Sequence, residues 1–314
     1  MSAHHTLIGD VGTVHRGTFD AAIPPVLKIN PDDTVEVTTL SGNAENLPPA
    51  GSPFKPSAAH RHVLDKIPPG IGAHLMTGPI EVAGAEPGDE LVVVLEKIEP
   101  ALDWGWNMIK PGIGTLPEDF KTMRHIHVPI DRQRGIVTLP WGLELKTSPF
   151  FGVIGVAPRP QDGALSSIMP RAWGGNIDNK NLRQGATLHL PVFNPGALLS
   201  LGDGHAVQGD GEVCVTAVET ELRGTLRVSL LKQTGIASPW AETPTHYITM
   251  GFDEDLDKAA EFAVREMVKL AGRVGGLSAE DAYTLCSLAA DVSVTQLVNV
   301  SKGIHVMLAK TLLK

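Results

Sequence analysis

Residues 87–95, Pro-Gly-Asp-Glu-Leu-Val-Val-Val-Leu, decide the class of fold. Pro87-Gly88-Asp89 has the composition of a turn, and the apolar run Leu91–Leu95 has the length and the valine content of a buried strand. Similar apolar or β-branched runs, set off by Gly or Pro, lie at residues 35–40, 135–139, 151–156, 187–193 and 226–231. This pattern of short apolar segments separated by Gly and Pro predicts a β-sandwich or barrel over roughly the first 250 residues.

The spacing of apolar residues changes near residue 253, where they begin to recur every three or four positions. Over residues 253–274 these positions are Leu256, Ala259, Ala260, Ala263, Met267 and Leu270. This period predicts an amphipathic helix that ends at Gly275-Gly276. Ser278 then begins a second predicted helix, with Asp281 placed for a capping box. The last apolar segment, residues 304–308, fits either a strand or a short helix.

The predicted fold class is therefore mainly β, a sandwich- or barrel-like body with a C-terminal α+β portion. We place the β-rich body, which carries the candidate site, at residues 1–245 and the α+β portion, packed on it, at residues 246–314. The length of 314 residues fits one large β-rich domain or two ordinary ones. The 33 glycines and 24 prolines agree with this class, because they make turns frequent and long helices few.

The charge of the chain excludes two classes of partner. The formal net charge is −9, and the sequence has no run of Lys and Arg of the kind that binds nucleic acid or an anionic membrane. No segment approaches the roughly 18 consecutive apolar residues of a membrane span, and the first ten residues, MSAHHTLIGD, do not resemble a signal peptide. With only Cys214 and Cys286 as cysteines, we expect a cytoplasmic protein in a reducing compartment.

The richest polar cluster spans residues 201–212, Leu-Gly-Asp-Gly-His-Ala-Val-Gln-Gly-Asp-Gly-Glu. Because residues two apart in an extended chain point to one side, Asp203 pairs with His205 and Asp210 pairs with Glu212. Carboxylates with an imidazole suit Zn²⁺, whereas an all-oxygen set suits Ca²⁺ or Mg²⁺. The alternative is that the Asp-Gly pairs only form turns and that His205 bonds a backbone group. Turn formation alone does not explain both His205 and Glu212.

Three other polar segments carry weaker signals. Asn176 and Asp178 follow Gly174-Gly175 with the same two-residue spacing, in a loop where backbone can approach a ligand, although such a loop is often only a turn. The Gly-rich stretch around Asn43 is equally ambiguous. A lone histidine such as His74 is more often a surface or core residue than a functional one.

Four ordered blocks make the sequence recognisable. They are HLMTGPIEVAGAEPGDELVVVLEKIEP (74–100), WGGNIDNKNLRQGATLHLPVF (173–193), NPGALLSLGDGHAVQGDGEV (194–213) and THYITMGFDEDLDKAA (245–260). Through these blocks the chain resembles the acetamidase/formamidase family over essentially its whole length. The third block, with its nested Gly, Asp, His and Glu residues, is the most specific.

The resemblance implies hydrolysis of short-chain aliphatic amides of the formamide or acetamide type to a carboxylate and ammonia. It also implies a mainly β architecture, a homo-oligomer (a dimer or larger), and a divalent metal at or near the active site. We expect zinc, with calcium and manganese as alternatives. The competing hypotheses are a hydrolase of the same fold that acts on another amide or a lactam, and a non-catalytic β protein that binds a metal or small ligand.

The family's site motifs are carried over residue by residue. Asp178 stands in the family's Gly-Gly-Asn-x-Asp loop, and its Gly-Asp-x-His…Gly-Asp-Gly-Glu block contains Asp203, His205, Asp210 and Glu212. From this resemblance we predict Asp178, Asp203 and His205 as metal ligands. Family members have His or Asn at the position of His74, so this residue is assigned to the substrate pocket, and Asn43 with it.

The remaining site residues are assigned from the needs of amide hydrolysis. Glu212 is predicted to act as general base on the attacking water and then as acid to the leaving nitrogen. Asp210 would orient His205 or complete the coordination shell, and the roles of Glu212 and Asp210 are interchangeable at this stage. Asn176 and nearby backbone N–H groups are predicted to bind the developing oxyanion.

Overall fold

Two large β-sheets dominate the computed structural model, which describes residues 2–313 and leaves Met1 and Lys314 outside the description. The strands there are β1 (His4–Leu7), β2 (Val14–Arg16), β3 (Thr18–Phe19), β4 (Leu27–Ile29), β5 (Thr34–Thr38), β6 (Leu75–Val82), β7 (Glu90–Pro100), β8 (Trp104–Ile109), β9 (Arg124–Asp131), β10 (Ile136–Thr138), β11 (Glu144–Lys146), β12 (Phe150–Gly155), β13 (Leu165–Ser166), β14 (Gly174–Asn176), β15 (Thr187–Pro191), β16 (Leu199–Val207), β17 (Val218–Glu219), β18 (Leu222–Leu231), β19 (Trp240–Glu242), β20 (His246–Asp253), β21 (Asp291–Gln296) and β22 (Lys302–Ala309). The α-helices are α1 (Ala58–Lys66), α2 (Leu256–Gly275) and α3 (Ala279–Ala289). The mainly β prediction is confirmed.

The first sheet has nine strands in the order β1-β5-β18-β7-β15-β19-β20-β22-β21. Its neighbours are antiparallel except for β1 and β5, which run parallel. The apolar run Leu91–Leu95 lies in β7, which is hydrogen-bonded to β18 on one side and to β15 on the other. Alternate residues of this run, Leu91, Val93 and Leu95, are buried in the core, as expected for a strand with one face towards the interior.

The second sheet has eleven strands, and its main path is β11-β10-β9-β8-β17-β16-β12-β14. Strand β6 lies off this path, since it pairs with β16, β2 and β4. The main core lies between the two sheets: Val93 of β7 and Val228 of β18 belong to the same apolar cluster as Val153 of β12 and Leu201 of β16, and all four are fully buried. The molecule is therefore a sandwich, whose layers are held by apolar burial at about 25 cal/mol per Å².

The C-terminal portion extends the first sheet and carries two helices. Both helices agree with their predicted positions, and Ser278 caps α3 by accepting the N–H of Asp281. The ambiguous last segment is a strand, β22. Helix α2 packs on β20 at Gly251, where a Cβ would lie 2.1 Å from the backbone oxygen of Ala259. The predicted boundary at residue 245 falls between β19 and β20, which are hydrogen-bonded neighbours of one sheet; the division into two domains remains a prediction.

The sequence analysis does not predict helix α1. Ser57 caps this helix by accepting the backbone N–H of His60. Among residues 2–313, none of the helices combines the length and apolarity needed to cross a membrane. Cys214 and Cys286 are both free thiols.

A buried histidine ties together three strands of the first sheet. His189 Nδ1 lies 2.6 Å from Glu90 Oε1, Nε2 lies 3.6 Å from Glu242 Oε1, and the imidazole stacks on Trp240 with 3.7 Å between ring centroids. Burial lowers the pKa of His189, but the two carboxylates outweigh burial and raise this pKa above its usual value. The charged imidazole therefore stabilises the fold below the unfolded pKa of about 6.5, and this contribution is lost as the pH rises through the folded pKa.

We predict that His189→Gln lowers the melting temperature by several degrees at pH 6 and by clearly less at pH 9. The reason is that wild type loses the ion pairs of His189 over this range, whereas the glutamine has no such charge to lose. Differential scanning calorimetry of both proteins from pH 6 to pH 9 measures the difference. A difference that stays constant with pH would contradict the assigned role of the His189 charge.

Candidate active site

The candidate site lies where the second sheet divides. On one edge of β16, Leu201 and Gly202 are paired with β6, and further along His205 is paired with Glu219 of β17. Asp203 falls between these two partner strands and is paired with neither. The divergence of β6 from β17 leaves a gap in the sheet, and a cavity of about 380 Å³ reaches the side chain of Asp203 there.

Several elements bring polar side chains to the floor of this cavity. Strand β16 carries Asp203 and His205, the loop after it carries Glu212, and β17 carries Glu219. Asp178 follows β14, which is paired with β12 on the other side of β16. We call these five residues, Asp178, Asp203, His205, Glu212 and Glu219, the acidic centre.

Gly152 on β12 clears the space for the acidic centre. A Cβ on this glycine would lie 2.5 Å from Asp178 Oδ1, 2.7 Å from Asp203 Oδ2 and 2.8 Å from His205 Cε1. All three distances are shorter than real Cβ contacts, so any side chain at residue 152 would displace the functional groups. The absent Cβ thus creates the room in which these side chains meet.

Three members of the acidic centre have left-handed backbone conformations. Their φ angles are 50° at Asp178, 55° at Asp203 and 44° at Glu212. Such angles are uncommon for residues other than glycine, and they are best tolerated by Asn and Asp. Strain of this kind persists where the surrounding structure imposes it, and it concentrates at functional sites.

Gln208 fixes the orientation of the His205 ring. His205 Nδ1 donates to Gln208 Oε1 at 2.7 Å, and Gln208 Nε2 in turn donates to the backbone oxygen of Asp178 at 2.8 Å. The other ring nitrogen, Nε2, therefore faces the carboxylates, with Asp203 Oδ2 at 3.2 Å and Glu219 Oε2 at 3.3 Å. Because each carboxylate oxygen is an acceptor, this nitrogen must share either a proton or a cation with them.

Asp210, predicted to orient His205 or to complete the coordination shell, lies outside the acidic centre. Its carboxylate is partly exposed and forms an ion pair with Lys180, with 2.8 Å between Nζ and Oδ2. The side chain that contacts His205 Nδ1 is Gln208. The physical reason is the backbone turn at Gly211 and Glu212, both with positive φ, which breaks the two-residue alternation of an extended chain.

The acidic centre concentrates negative charge in a place with little water. Asp178, Glu212 and Glu219 are 1%, 6% and 2% exposed, and the side chain of Asp203 is 15% exposed. Three buried carboxylate oxygens, one each on Asp178, Glu212 and Glu219, have no hydrogen-bond partner among the described residues. Buried carboxylates are strongly destabilising unless positive charge or donors compensate them.

The pKa values show how protons divide within the acidic centre. Burial raises the pKa of Glu219 to about 7, with Asp203 adding to the effect, and burial together with Asp178 raises the pKa of Glu212 well above its usual value. Burial also favours a neutral Asp203, but the nearby histidines, His74 above all, outweigh it and lower that pKa to about 2. The centre thus contains carboxyl groups that can take up and release protons near neutral pH.

The acidic centre fits a divalent cation. Asp178, Asp203 and His205, the three predicted ligands, offer ligand atoms that all lie within 4.8 Å of one another, and a second such group is formed by His205, Glu212 and Glu219. The unpartnered carboxylate oxygens and the open space above Gly152 are the features that a bound cation would complete. Mixed oxygen and imidazole ligands suit zinc and tolerate other divalent ions.

Two further predicted residues line the cavity beside the acidic centre. Asn176 is buried; its Nδ2 donates to the backbone oxygen of Ile168 at 3.2 Å, and its Oδ1 has no partner. His74 Nε2 lies 3.7 Å from Asp203 Oδ2, and His74 Nδ1 lies 2.8 Å from Ser167 Oγ. Asn176 thus has an unpartnered acceptor, Oδ1, and a second N–H on Nδ2, and its predicted contact with an oxyanion remains a prediction.

Asn43 also borders the cavity, and its side chain forms hydrogen bonds within the protein. Its Oδ1 accepts from Arg16 Nη2 at 2.5 Å, and its Nδ2 donates to the backbone oxygen of Ala73 at 3.0 Å. Both polar atoms are thus engaged within the fold. These bonds tie the loop at residues 41–46 to the chain before His74, and a contact between Asn43 and a substrate remains a prediction.

The sequence analysis missed Glu219 and Asn299. Asn299, in the turn between β21 and β22, donates its Nδ2 to Asp178 Oδ2 at 2.5 Å and thereby holds this carboxylate. No local motif marks Asn299. The only signal for Glu219 is its place in the alternating segment Val218-Glu219-Thr220-Glu221, where one face of a strand carries the two glutamates.

The fold and the site together define a β-sandwich protein with a buried carboxylate–imidazole centre on the floor of a cavity. The model of the Acetamidase/Formamidase family matches residues 12–162 and 159–311. The chain therefore belongs to the acetamidase/formamidase family, as its sequence blocks predicted.

Individual relatives agree with this assignment. The formamidase of Methylophilus methylotrophus is 31% identical over 241 residues, which are 57% of this chain and 59% of that protein. The acetamidase of Mycolicibacterium smegmatis is 30% identical over 210 residues, which are 45% of this chain and 49% of that protein. The chain spans about half the length of the curated relatives it matches. The crystal structure of an acetamidase from Bacillus halodurans superimposes with a TM-score of 0.84 at 31% identity and covers 98% of each chain.

We predict that Gly152→Ala weakens the binding of divalent cations at least tenfold and lowers the melting temperature, because the added Cβ displaces Asp178, Asp203 and His205. Isothermal titration calorimetry of Zn²⁺ and Mn²⁺ into chelator-treated protein measures the affinity. The control is Gly209→Ala, since Gly209 has open space around its Cβ position and an ordinary φ. Equal affinity in the two variants would contradict the role of Gly152.

Proposed function

We propose that the chain hydrolyses carboxamides to a carboxylate and ammonia. Water supplies the new C–O bond, the C–N bond breaks, and a proton from the water leaves with the nitrogen. The observation that carries the proposal is the acidic centre on the floor of a cavity, in a chain whose relatives are named acetamidase and formamidase. The family membership limits the chemistry, and the buried carboxyl groups provide the proton transfers that it requires.

Asp178, Asp203 and His205 would hold a divalent cation, with zinc as the expected ion and calcium and manganese as alternatives. When bound, such a cation supplies Lewis acidity that polarises a carbonyl and lowers the pKa of bound water towards about 7. Asn299 keeps the Asp178 carboxylate in place through its hydrogen bond, and Gln208 does the same for the His205 ring. The protein thus fixes the ligands before any ion arrives.

Glu212 is the proposed proton carrier. Its carboxylate lines the cavity, is almost fully buried, and has one oxygen free of any partner within residues 2–313. It accepts the proton of the attacking water and then donates it to the departing nitrogen. Glu219, 3.3 Å from His205 Nε2, holds the imidazole from the other side.

Asn176 is proposed to orient the amide group of the substrate. Its free Oδ1 can accept a hydrogen bond from the –NH₂ group, because its Nδ2 already donates to Ile168. This contact would direct the leaving nitrogen towards one wall of the cavity and the carbonyl towards the acidic centre.

We also propose that the protein acts as a homo-oligomer in a reducing compartment such as the cytoplasm. The free thiols of Cys214 and Cys286 fit a reducing environment. Exposed apolar side chains on the C-terminal portion, Tyr283, Leu288 and Val292, offer a surface for contact between subunits.

We predict that Glu212→Gln retains bound metal and lowers kcat at least about 10²-fold, because the amide can no longer accept the proton of the water. Ammonia release and metal content are measured on the same samples. Asp210→Asn is the matched control, and it should keep activity near wild type because Asp210 pairs with Lys180 outside the cavity. Full turnover in Glu212→Gln together with loss in Glu219→Gln would transfer the proton-carrying role to Glu219.

A second prediction concerns removal of the cation. Dialysis against a chelator should abolish ammonia release and lower the melting temperature, because the carboxylates of the acidic centre then repel one another without compensation. Adding back one divalent ion at a time identifies the ion that restores both properties. Full activity in protein shown to be metal-free by elemental analysis would remove the cation from the mechanism.

A further inference from the structure

Strand β21 carries a β-bulge where it reaches the acidic centre. Val294 is paired with Ile304 of β22. The next pair joins Gln296 to Gly303, so Thr295 is the extra residue of the bulge. As a result Thr295 and Gln296 are both buried, at 1% and 0% exposure, although neighbours in a regular strand point to opposite faces. Bulges of this kind redirect a side chain, and they are common beside active sites.

The redirected side chain of Gln296 builds the turn between β21 and β22. Its Oε1 accepts the backbone N–H groups of Val298 and Asn299, both at 3.0 Å, and its Nε2 donates to the backbone oxygen of Ser301 at 2.8 Å. The turn contains a β-branched residue in the left-handed region, Val300 with a φ of 64°. Such a backbone conformation is unfavourable, so the turn depends on these three hydrogen bonds for its shape.

The turn presents Asn299 to a proposed metal ligand. Asn299 is 4% exposed, and its Nδ2 donates to Asp178 Oδ2 at 2.5 Å and to the backbone oxygen of Asn176 at 3.4 Å. Both hydrogens of this amide are thus used, one on the ligand and one on the strand before it. The backbone N–H of Asn299 is held by Gln296, so two successive hydrogen bonds connect Gln296 with Asp178.

The same bulge also holds the loop that carries Glu212. The backbone N–H of Gly211 donates to the oxygen of Thr295 at 3.0 Å, and the N–H of Leu297 donates to the oxygen of Gly211 at 3.0 Å. These two bonds hold Gly211 from the residues on either side of Gln296, and the next residue along the chain is Glu212. One segment of the C-terminal portion therefore supports both the proposed proton carrier and a proposed metal ligand.

We infer that Gln296 is a positioning residue of the hydrolytic site. Through Asn299 it fixes the Asp178 carboxylate, and through the bulge it fixes the loop of Glu212. The inference rests on the proposed amide hydrolysis and adds to it a residue from outside the cavity. In the part of the chain that the structure describes, Asn299 lines the cavity and Gln296 does not, so Gln296 acts only through the shape of the turn.

Gln296→Met tests the inference, because methionine is a side chain of similar length that cannot form the three hydrogen bonds. Calorimetric titration of Zn²⁺ and Mn²⁺ into chelator-treated protein should show an affinity at least about tenfold lower than in wild type, the loss typical of residues that hold a metal ligand. At saturating cation, kcat for acetamide should fall at least about tenfold with little change in KM, since the defect lies in the reacting geometry. Unchanged affinity and unchanged kcat would overturn the inference.

Thr249→Val is the matched control for stability. Thr249 is 1% exposed in the same C-terminal portion, and its Oγ1 donates to the backbone oxygen of Ala263 at 2.7 Å, away from the cavity. Both variants lose buried hydrogen bonds and should melt at a lower temperature, but Thr249→Val should keep the cation affinity and the kcat of wild type. Equal losses of affinity and kcat in the two variants would overturn the inference, because a general loosening of the fold would then explain them.

A double variant shows whether Gln296 acts on the ligand through Asn299. Asn299→Leu removes the amide that holds Asp178. Gln296→Met combined with Asn299→Leu should therefore lose no more cation affinity than Asn299→Leu alone, because the turn then has no donor left to position. Losses that multiply in the double variant would overturn the inference.

A milder variant keeps the test decisive if Gln296→Met does not fold. Gln296→Glu keeps an acceptor for Val298 and Asn299 and, once ionised, loses the donor to Ser301. At pH 9 its losses of cation affinity and kcat should exceed those of Thr249→Val and be smaller than those of Gln296→Met. Losses no larger than those of Thr249→Val would overturn the inference.

The failure of the amidase proposal has a different signature. If metal-loaded wild type releases no ammonia from acetamide or formamide, the proposed function is wrong, and the cation titrations still test Gln296. Reduced affinity in Gln296→Met, absent in Thr249→Val, would then support the positioning of Asp178. Equal affinity in the two variants would overturn it.

Discussion

The burial of several carboxyl groups around one imidazole is the constraint on which the rest of the site depends. Asp178, Asp203, Glu212 and Glu219 surround one imidazole in an interior where charges interact far more strongly than in water. The residues around these carboxyl groups hold them in place. Gly152 leaves the space, left-handed backbone turns three of the side chains inward, and hydrogen bonds from Gln208 and Asn299 hold the ligands where a cation can neutralise them.

The apolar walls and the charged floor of the cavity act on each other. Leu40, Leu75 and Met108 line the cavity beside the acidic centre, and apolar neighbours strengthen the electrostatic interactions of its carboxyl groups. The apolar wall favours an apolar part of a ligand, and the acidic centre favours a polar one. Selectivity and positioning then follow from a single division of the cavity into an apolar part and an acidic part.

Much of the fold could be predicted from local patterns, because Leu91–Leu95 and the helix at 256–275 bury apolar residues with a regular period. Helix α1 lacked such a signal, since it has nine residues of which only His60 and Val63 are buried. In the site, Asp203 and His205 followed from strand alternation, whereas Asp210 did not, because the positive φ at Gly211 and Glu212 reverses the direction of the side chains. Glu219 and Asn299 reach the site through pairing of distant strands, which no local spacing encodes.

The change of partner along β16 also bears on how the protein folds. The site draws on residues from His74 to Asn299, and β16 must pair with β12, β6 and β17 before these residues meet. Contacts so far apart in sequence form slowly, because each closes a long loop. During folding the carboxylates therefore keep their hydration shells until the sandwich has closed. The site is therefore one of the last parts of the molecule to form, and it exists only in the closed sandwich.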